Sequence, residues 1–283
     1  MNGDLIETRD FIGIKYLTQN MEVKSPILVE KQLNVIRGIA FSVTDVPRLR
    51  LGTTLPNASG VIAEVVGGGY LPFDLDNAKM YAADAGKTSN SARLLYPAAT
   101  ATYKPISWQV TVGSDIFYAG HLRVGETIEP PNYFFFDTWP DKNFTIDESN
   151  GGGLAQCTSI ALRNKRLNAV FKGQALTPQS AITIKLTKTM PHPLTGDAEP
   201  LAPVAEKEYP CALGSWVDPA LSRTTQNLLP IAFNQFTADT GPIGGYQIWS
   251  EGELWYWGTL APGKYGWNRD LLTIEPGGII IRG

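Results

Sequence analysis

The sequence is poor in charge, cysteine and histidine, and each shortage argues against a class of protein. Only 18% of its 283 residues are Asp, Glu, Lys or Arg, and the formal net charge is −3. This balance gives no electrostatic reason for binding nucleic acid or an anionic membrane. Two cysteines and two histidines form neither a disulfide framework nor a zinc cage. We therefore expect no nucleic acid or membrane partner, no metal ion and no other cofactor.

Long apolar runs are also absent. No stretch approaches the roughly eighteen consecutive apolar residues of a membrane span. The first residues, MNGDLIETRDFIGIKYL, have no basic segment followed by an apolar one, as a secretion signal would. We expect the protein to stay where it is made or to leave as part of a larger assembly.

Catalytic motifs are missing as well. The chain has neither His-Glu-x-x-His nor Gly-x-Ser-x-Gly. GKT at 86–88 ends like a phosphate-binding loop, but Tyr81 stands where that motif needs glycine. The acidic segment DKNFTIDE at 141–148 lacks the spacing of a calcium loop. Carboxylate pairs for glycoside hydrolysis form in space, so that alternative stays open. We predict no catalytic residue and no enzyme.

Glycine and proline are plentiful and separate many short apolar runs. There are 28 Gly and 20 Pro in a chain that is 43% hydrophobic, which is typical of an all-β protein with frequent turns. The predicted strands are LNVIRGIAFSV, RLRLGTT and NYFFFDTW in the first half, and AITIKLTKT, LLPIAF and LLTIEPGGIIIRG in the second. Only 79–92 resembles a helical turn. The pattern favours β-sandwiches of jelly-roll type.

The chain repeats itself. Three segments of the first half recur, in the same order, 134 to 138 residues later: KQLNVIRG (31–38) as KRLNAVFKG (165–173), LRLGTTLP (49–56) as IKLTKTMP (184–191), and WQVTVGSDIFYAGHL (108–122) as YQIWSEGELWYWGTL (246–260). An ordered series at nearly one offset indicates tandem duplication of a unit of about 120 residues. Such a unit is long enough to be a domain with its own core.

The duplication predicts four segments. They are an N-terminal arm at 1–27, a first β-sandwich at 28–137, a Gly-rich linker at 138–160 and a second β-sandwich at 161–283. The arm and the apolar end GGIIIRG are expected either to reach into neighbouring molecules or to complete sheets of their own domains.

Each copy of the fifteen-residue segment predicts a β-hairpin. Two alternating runs flank Gly113-Ser114 in one copy and Glu251-Gly252 in the other. With a regular register, Gln109 pairs with Tyr118 and Gln247 with Tyr256. The same register places Trp249 and Trp257 on opposite faces, so at least one of them should point away from its own core.

Extra aromatic and apolar residues in the second copy are the candidates for an interface. An outward tryptophan is often covered by a neighbour, so a partner surface, a core covered on both faces and a sugar-stacking platform all stay open. The candidate interface residues are Trp249, Trp257, Tyr265, Trp267, Ile279, Ile280 and Ile281.

Residues 49–128 resemble a β-rich module common in structural proteins of tailed bacteriophages, of the tail-fibre and decoration type. The resemblance rests on a strand followed by a Pro-bearing loop, then E-V-x-G-G-G-Y, then Y-P-x-A-T, and a strand pair ending in G-x-L. The residues at those places are Glu64, Gly67, Gly68, Gly69, Tyr70, Tyr96, Pro97, Ala99, Thr100, Gly120 and Leu122.

The resemblance implies a non-enzymatic structural part of a phage virion, assembled in the bacterial host cytoplasm. It implies a place in the tail, as baseplate, fibre or collar. Partners would be other virion proteins and further copies of the chain, in a trimer or hexamer-type ring. A capsid decoration protein and a carbohydrate-binding module that recognises a host surface glycan are the alternatives.

Overall fold

A computed structural model describes ten stretches of the chain: residues 14–16, 19–67, 70–122, 127–140, 142–148, 158–193, 195–201, 205–220, 223–260 and 265–283. The chain divides into two compact units. The first unit contains the described parts of Met1–Lys24 together with Val46–Tyr81 and Ser89–Thr145. The second contains Ser25–Asp45, Ala82–Thr88 and the described parts of Ile146–Gly283.

Short strands dominate the described residues. In chain order the elements are β1 (Ile14–Tyr16), β2 (Gln19–Lys24), α1 (Pro26–Leu33) with a 3-10 turn at Asn34–Arg37, β3 (Arg48–Gly52), β4 (Phe73–Asp74), β5 (Lys87–Ser89), β6 (Leu94–Leu95), β7 (Ser107–Val112), β8 (Asp115–Leu122), β9 (Tyr133–Phe136), β10 (Thr145–Asp147), α2 (Ile160–Phe171), β11 (Ala181–Thr187), β12 (Glu206–Pro210), β13 (Thr224–Gln226), β14 (Ile231–Ala232), β15 (Gly241–Pro242), β16 (Gly245–Ser250), β17 (Glu253–Thr259), β18 (Tyr265–Gly266), β19 (Thr273–Ile274) and β20 (Ile280–Arg282).

The first unit is built on a five-stranded sheet and a three-stranded sheet. The larger has the order β2-β8-β7-β3-β4, and the smaller has the order β1-β9-β6. Its core is aromatic: Trp108 packs edge-on against Phe144 with ring centroids 5.1 Å apart, and Tyr96 stacks on Phe134 at 4.4 Å. Such ring pairs add specific contacts to the burial of apolar area.

Residues 14–16 and 19–24 of the predicted N-terminal arm add strands to the first unit, whereas residues 25–27 cap and begin α1 in the second. β2 pairs antiparallel with β8, and β1 pairs parallel with β9. Their backbone groups are therefore used within the chain's own sheets, the second of the two roles expected for the arm.

The second unit takes segments from both halves of the chain. It holds a four-stranded sheet, β12-β11-β16-β17, and the two-stranded sheets β13-β20, β14-β19 and β15-β18. Both helices belong to it, as does Ala82–Thr88 from the first half. Tyr209 packs edge-on against Trp216, with centroids 5.1 Å apart.

Two helices form where the sequence indicated no helix, so that part of the prediction was wrong; the predicted strand LNVIRGIAFSV begins instead with the last residue of α1 and the 3-10 turn. Ser25 and Ser159 cap them, each accepting a 3.1 Å hydrogen bond from the backbone N–H three residues later. Buried residues recur at helical spacing, as in Leu28, Val29, Gln32 and Leu33 of α1. Polar residues such as Gln32 occupy core positions and hide this period in the sequence. No helix forms within 79–92, which instead contains β5.

The two predicted hairpins are present, and they match residue for residue. Thr111 faces Ile116 and Val110 faces Tyr118, so Phe117 is an extra residue that forms a bulge. In the second hairpin, Trp249 faces Leu254 and Ile248 faces Tyr256, which makes Trp255 the bulged residue. The predicted Gln–Tyr pairs were wrong, because each bulge shifts the pairing by one residue. Gln109 faces Ala119, and Gln247 faces Trp257.

The correspondence extends across the sheets. β3 pairs with β7 as β11 pairs with β16: each residue of β3 corresponds to the β11 residue 135 positions later, and each residue of β7 to the β16 residue 138 positions later. β4 and β12 lie on the outer sides of these strands with matching partners. The remaining matches are β5-β10 with β13-β20 and β6-β9 with β14-β19. We call residues 24–148 repeat one and 158–283 repeat two. The predicted all-β class with tandem domains is confirmed.

Candidate assembly surface

Trp257 is covered within repeat two. Its side chain is 3% exposed and packs against Gly196, where an added Cβ would lie 2.6 Å from the indole ring. Gly196 has a φ of +77°, and its carbonyl accepts a 2.7 Å hydrogen bond from the side-chain amide of Gln247. The loop that contains Gly196 thus covers this face of the hairpin. This arrangement agrees with one of the three alternatives, a core that is covered on both faces.

Trp249 and Trp257 share one face, which corrects the expectation of opposite faces. Gln247 lies directly opposite Trp257, and Trp249 is two residues from Gln247 on the same strand. The bulge at Trp255 causes the difference. Trp249 is half-buried: its indole N–H donates to Gln247 at 3.1 Å, and the Lys185 ammonium lies 5.3 Å from the ring centroid.

The three isoleucines near the C-terminus divide between core and surface. Ile279 and Ile281 are buried in the second unit, and β20 is paired with β13. Ile280, between them, is 45% exposed. This end of the chain therefore completes a sheet of its own unit, and only Ile280 of the three presents its side chain at the surface.

Tyr265 and Trp267 form an exposed aromatic pair on and just after β18. They are 55% and 59% exposed, and their rings stack with centroids 6.3 Å apart and an interplanar angle of 19°. Two residues apart on an extended segment, they project to the same side. The backbone beneath them is held by pairing of β18 with β15 and by a 3.0 Å bond from the Trp267 N–H to Asp270.

Repeat one has polar residues at the equivalent place. The bridge between Gly241 and Gly266 corresponds to the bridge between Tyr103 and Ile128, at an offset of 138 residues. Thr127 and Glu129 therefore occupy the places of Tyr265 and Trp267, and both are exposed. The same framework carries a polar surface in one repeat and an aromatic surface in the other.

The second unit contains a group of buried charged and polar residues that the sequence did not predict. We call Glu148, Arg163, Arg166, Gln32 and Tyr256 the buried cluster; all five are more than 90% buried. Gln32 donates to Glu148 at 3.1 Å, and Arg166 donates to the Tyr256 hydroxyl at 2.6 Å. Burial lowers the pKa of Arg163, and the charge of Glu148 opposes that shift. Burial likewise raises the pKa of Tyr256, which Arg166 opposes.

The acidic segment at 141–148 is used in protein contacts where the structure describes it. Asp147 pairs with Lys87 at 2.7 Å, Asn143 bonds to Thr145, and Glu148 belongs to the buried cluster; Asp141 lies outside the described residues. The described part of the chain contains no group of three or more His, Cys, Asp or Glu placed to hold a metal ion. Cys157 also lies outside it, whereas Cys211 is buried and makes no disulfide.

Comparison with known families identifies the chain. The model of a family described as podophage GP4 fiber I protein gp80 matches twice, at residues 24–138 and 158–282. Together the two matches cover most of the sequence. The chain belongs to this phage fibre family. The starts of the matches, Lys24 and Thr158, are equivalent in the structure, since each bridges to the corresponding tyrosine, Tyr118 or Tyr256. No curated protein matches the chain.

Family membership confirms the resemblance inferred from residues 49–128: the chain is a tandemly duplicated tail-fibre protein and a structural component of a phage virion. Motif residues behind that resemblance contact β3 of the five-stranded sheet. The Tyr70 hydroxyl accepts from the backbone N–H of Leu51 at 2.5 Å, and its ring stacks on Tyr96 at 5.8 Å. Glu64 pairs with Arg50 at 2.7 Å. Gly68 and Gly69 lie outside the described residues.

Among the described residues, no helix has the length and apolar composition needed to cross a membrane.

Proposed function

We propose that this fibre protein is a non-catalytic assembly component of the phage tail that docks to other virion proteins through the Tyr265–Trp267 pair. One observation carries the proposal: repeat two presents two stacked, exposed rings where repeat one presents Thr127 and Glu129. Tyrosine and tryptophan are, with arginine, the residues enriched in the energetic centres of protein interfaces.

The framework beneath the pair supports a docking role. The rings project from a backbone that is held by β15 and by Asp270. Because this backbone is already ordered, binding would cost little conformational entropy. Two repeats with one framework and different surfaces provide two non-identical docking sites. Such a chain suits a tail position where it meets different neighbours, including other copies of itself in a trimer or hexamer-type ring.

The test uses phage particles that carry the double variant Tyr265→Thr/Trp267→Glu, which gives repeat two the surface of repeat one. We expect the variant chain to be lost from purified particles while the isolated protein stays folded. Trp139→Glu is the matched control, because Trp139 is an exposed tryptophan of the first unit at 67% exposure. The measurement is the copy number per particle by quantitative mass spectrometry.

Normal incorporation of the double variant would contradict the proposal. A native copy number near a multiple of six supports a tail position, whereas hundreds of copies would support capsid decoration. Incorporation of Trp139→Glu at the native level shows that the effect is specific to the pair.

A glycan-binding role is the second candidate, since two near-parallel exposed rings also suit stacking on a sugar. It predicts that the double variant enters particles normally but no longer adsorbs to the host. Binding of the purified native protein to host polysaccharide, lost in the same variant, would favour this candidate over docking to virion proteins.

A further inference from the structure

The two helices of the second unit are exchanged between the repeats. α1, from repeat one, packs on the C-terminal strand pair of repeat two: a Cβ on Gly283 would lie 2.5 Å from Val29 and 3.5 Å from Leu33. α2, from repeat two, packs on the corresponding segment of repeat one. There the backbone N–H groups of Ala83 and Gly86 each donate to an α2 side chain, Asn168 and Asn164, at 2.8 Å.

The two packing sites are equivalent positions of the repeats. The Glu148 N–H donates to the Gly86 carbonyl at 2.9 Å, and the Gly283 N–H donates to the Arg223 carbonyl at 3.1 Å. These bonds flank the matching pairs β5-β10 and β13-β20, so Glu148 corresponds to Gly283. On the helices, which begin after the equivalent caps Ser25 and Ser159, Val29 corresponds to Arg163.

A third contact joins equivalent residues directly. Phe41 and Leu176 occupy the same place in the two repeats, three residues after Gly38 and Gly173. They exchange both backbone hydrogen bonds with each other, at 3.0 and 2.8 Å. A contact in which a position meets its own counterpart is the signature of a two-fold interface, here within one chain.

The chemistry at the two sites is different even though the backbone is the same. One site holds Glu148 with Arg163 and Arg166, whereas the equivalent positions of the other repeat are Gly283, Val29 and Gln32. If repeat one paired with repeat one of another chain, Glu148 would face Val29 and lose the charge of Arg163. If repeat two paired with repeat two, Arg163 would face Gly283. The first arrangement buries the Glu148 carboxylate without the charge of Arg163, and the second leaves Arg163 without the acidic side chain of Glu148; both are unfavourable.

We propose that the buried cluster selects the pairing of repeat one with repeat two and disfavours pairing of like repeats between chains. A chain with two self-complementary surfaces is at risk of open-ended association. Discrimination against wrong partners by unpaired buried charge is an effective device, since it need not strengthen the correct pairing. The inference is independent of the Tyr265–Trp267 surface.

The test is a triple variant of the full chain, Glu148→Gly/Arg163→Val/Arg166→Gln, which gives both sites the same three residues. We expect light scattering after size-exclusion chromatography to show species of at least twice the native molar mass, increasing with protein concentration. Arg48→Gln/Asp74→Asn is the control, because this ion pair is exposed and lies in the first unit. A folded triple variant with the native mass at every concentration would overturn the proposal.

A thermal comparison keeps the proposal testable if the triple variant folds poorly. Glu148→Arg places a third cation among Arg163 and Arg166, and we expect it to lower the unfolding midpoint. Adding Arg163→Glu restores a pair of opposite charges. It should recover part of the lost unfolding midpoint while the molar mass stays native. A double variant no more stable than Glu148→Arg alone would show that charge pairing does not govern this site.

Discussion

The two hairpins share a backbone and differ in the side chains they place against it. Phe117 and Trp255 form the same bulge, and Ala119 and Trp257 occupy the same place opposite a glutamine. Gly60 packs against Ala119 as Gly196 packs against Trp257. The bulge and the covering glycine loop are therefore common to both repeats, whereas the volume between hairpin and loop is not. Divergence has changed packing and kept the hydrogen-bond pattern.

The surfaces of the two repeats differ more than their cores do. Tyr265 and Trp267 replace Thr127 and Glu129 without altering the pairing beneath them. Large exposed rings in water carry no benefit for folding, and at this place only repeat two has them, which is why we propose a partner for that surface. The comparison separates residues that maintain the shared fold from residues that give each repeat its own contacts.

The largest effect is expected for the bulged core residue. Trp255 is 2% exposed, and Trp255→Ala should lower the free energy of unfolding by about 3–5 kcal/mol, because it leaves a large cavity. Trp255→Phe should cost less than half as much, since Phe117 fills the same place in repeat one. Chemical denaturation measures both values. Equal losses for the two variants would mean that the bulged positions are not equivalent.

The covering glycine gives the next effect. Gly196→Ala forces a side chain into a position with φ of +77° and against the Trp257 ring, which should cost about 2–4 kcal/mol. Gly252→Ala is the matched control, because Gly252 has a φ of +79° but nothing within 4 Å of the added Cβ. Its cost should be only the backbone strain of about 1–2 kcal/mol. The difference between their unfolding midpoints measures the packing of loop on hairpin.

A small effect on stability is expected at the surface. Tyr265→Thr/Trp267→Glu should change the free energy of unfolding by less than about 0.5 kcal/mol, because both side chains are exposed and the backbone bonds remain. Thermal unfolding of the purified protein checks this value. A large loss of unfolding free energy would mean that the two rings stabilise the fold of repeat two and are not there to bind a partner.

The smallest effect concerns a thiol that only repeat two contains. Burial raises the pKa of Cys211 to about 11 from an ordinary value near 9. Because the folded state favours the neutral thiol, the stability from this group is present below pH 9 and is lost as the pH rises through 11. In a Cys157→Ser chain at pH 8, a thiol reagent should label the native protein slowly and the denatured protein fully. Rapid native labelling would contradict the burial of Cys211.

The repeated strands and the hairpin turns were predictable because their signals are local. Alternating residues around Gly113-Ser114 and Glu251-Gly252 specify hairpins, and a nearly constant offset shows the duplication. The register was not predictable, since the extra residue of a bulge leaves the alternation almost unchanged. One bulge at Trp255 was enough to move Trp257 from the expected face to the opposite one.

The helices and the exchange were hidden for a different reason. Gln32, Arg163 and Arg166 lie in the core of the second unit, so the apolar period of each helix is interrupted by polar residues. Their partners are distant in the chain: Glu148 is 116 residues from Gln32. A pairing that depends on such long-range contacts leaves no pattern in any single window of the sequence. The exposed pair Tyr265–Trp267, in contrast, was among the residues chosen from the sequence.

The most direct test of the duplicated framework is an experimental structure of the fibre protein, by crystallography or by cryo-electron microscopy of the particle. Residues 107–112 and 115–121 should superimpose on 245–250 and 253–259, with Phe117 and Trp255 both as bulged residues. A second hairpin that pairs without the bulge, so that Gln247 faces Tyr256, would contradict the common framework.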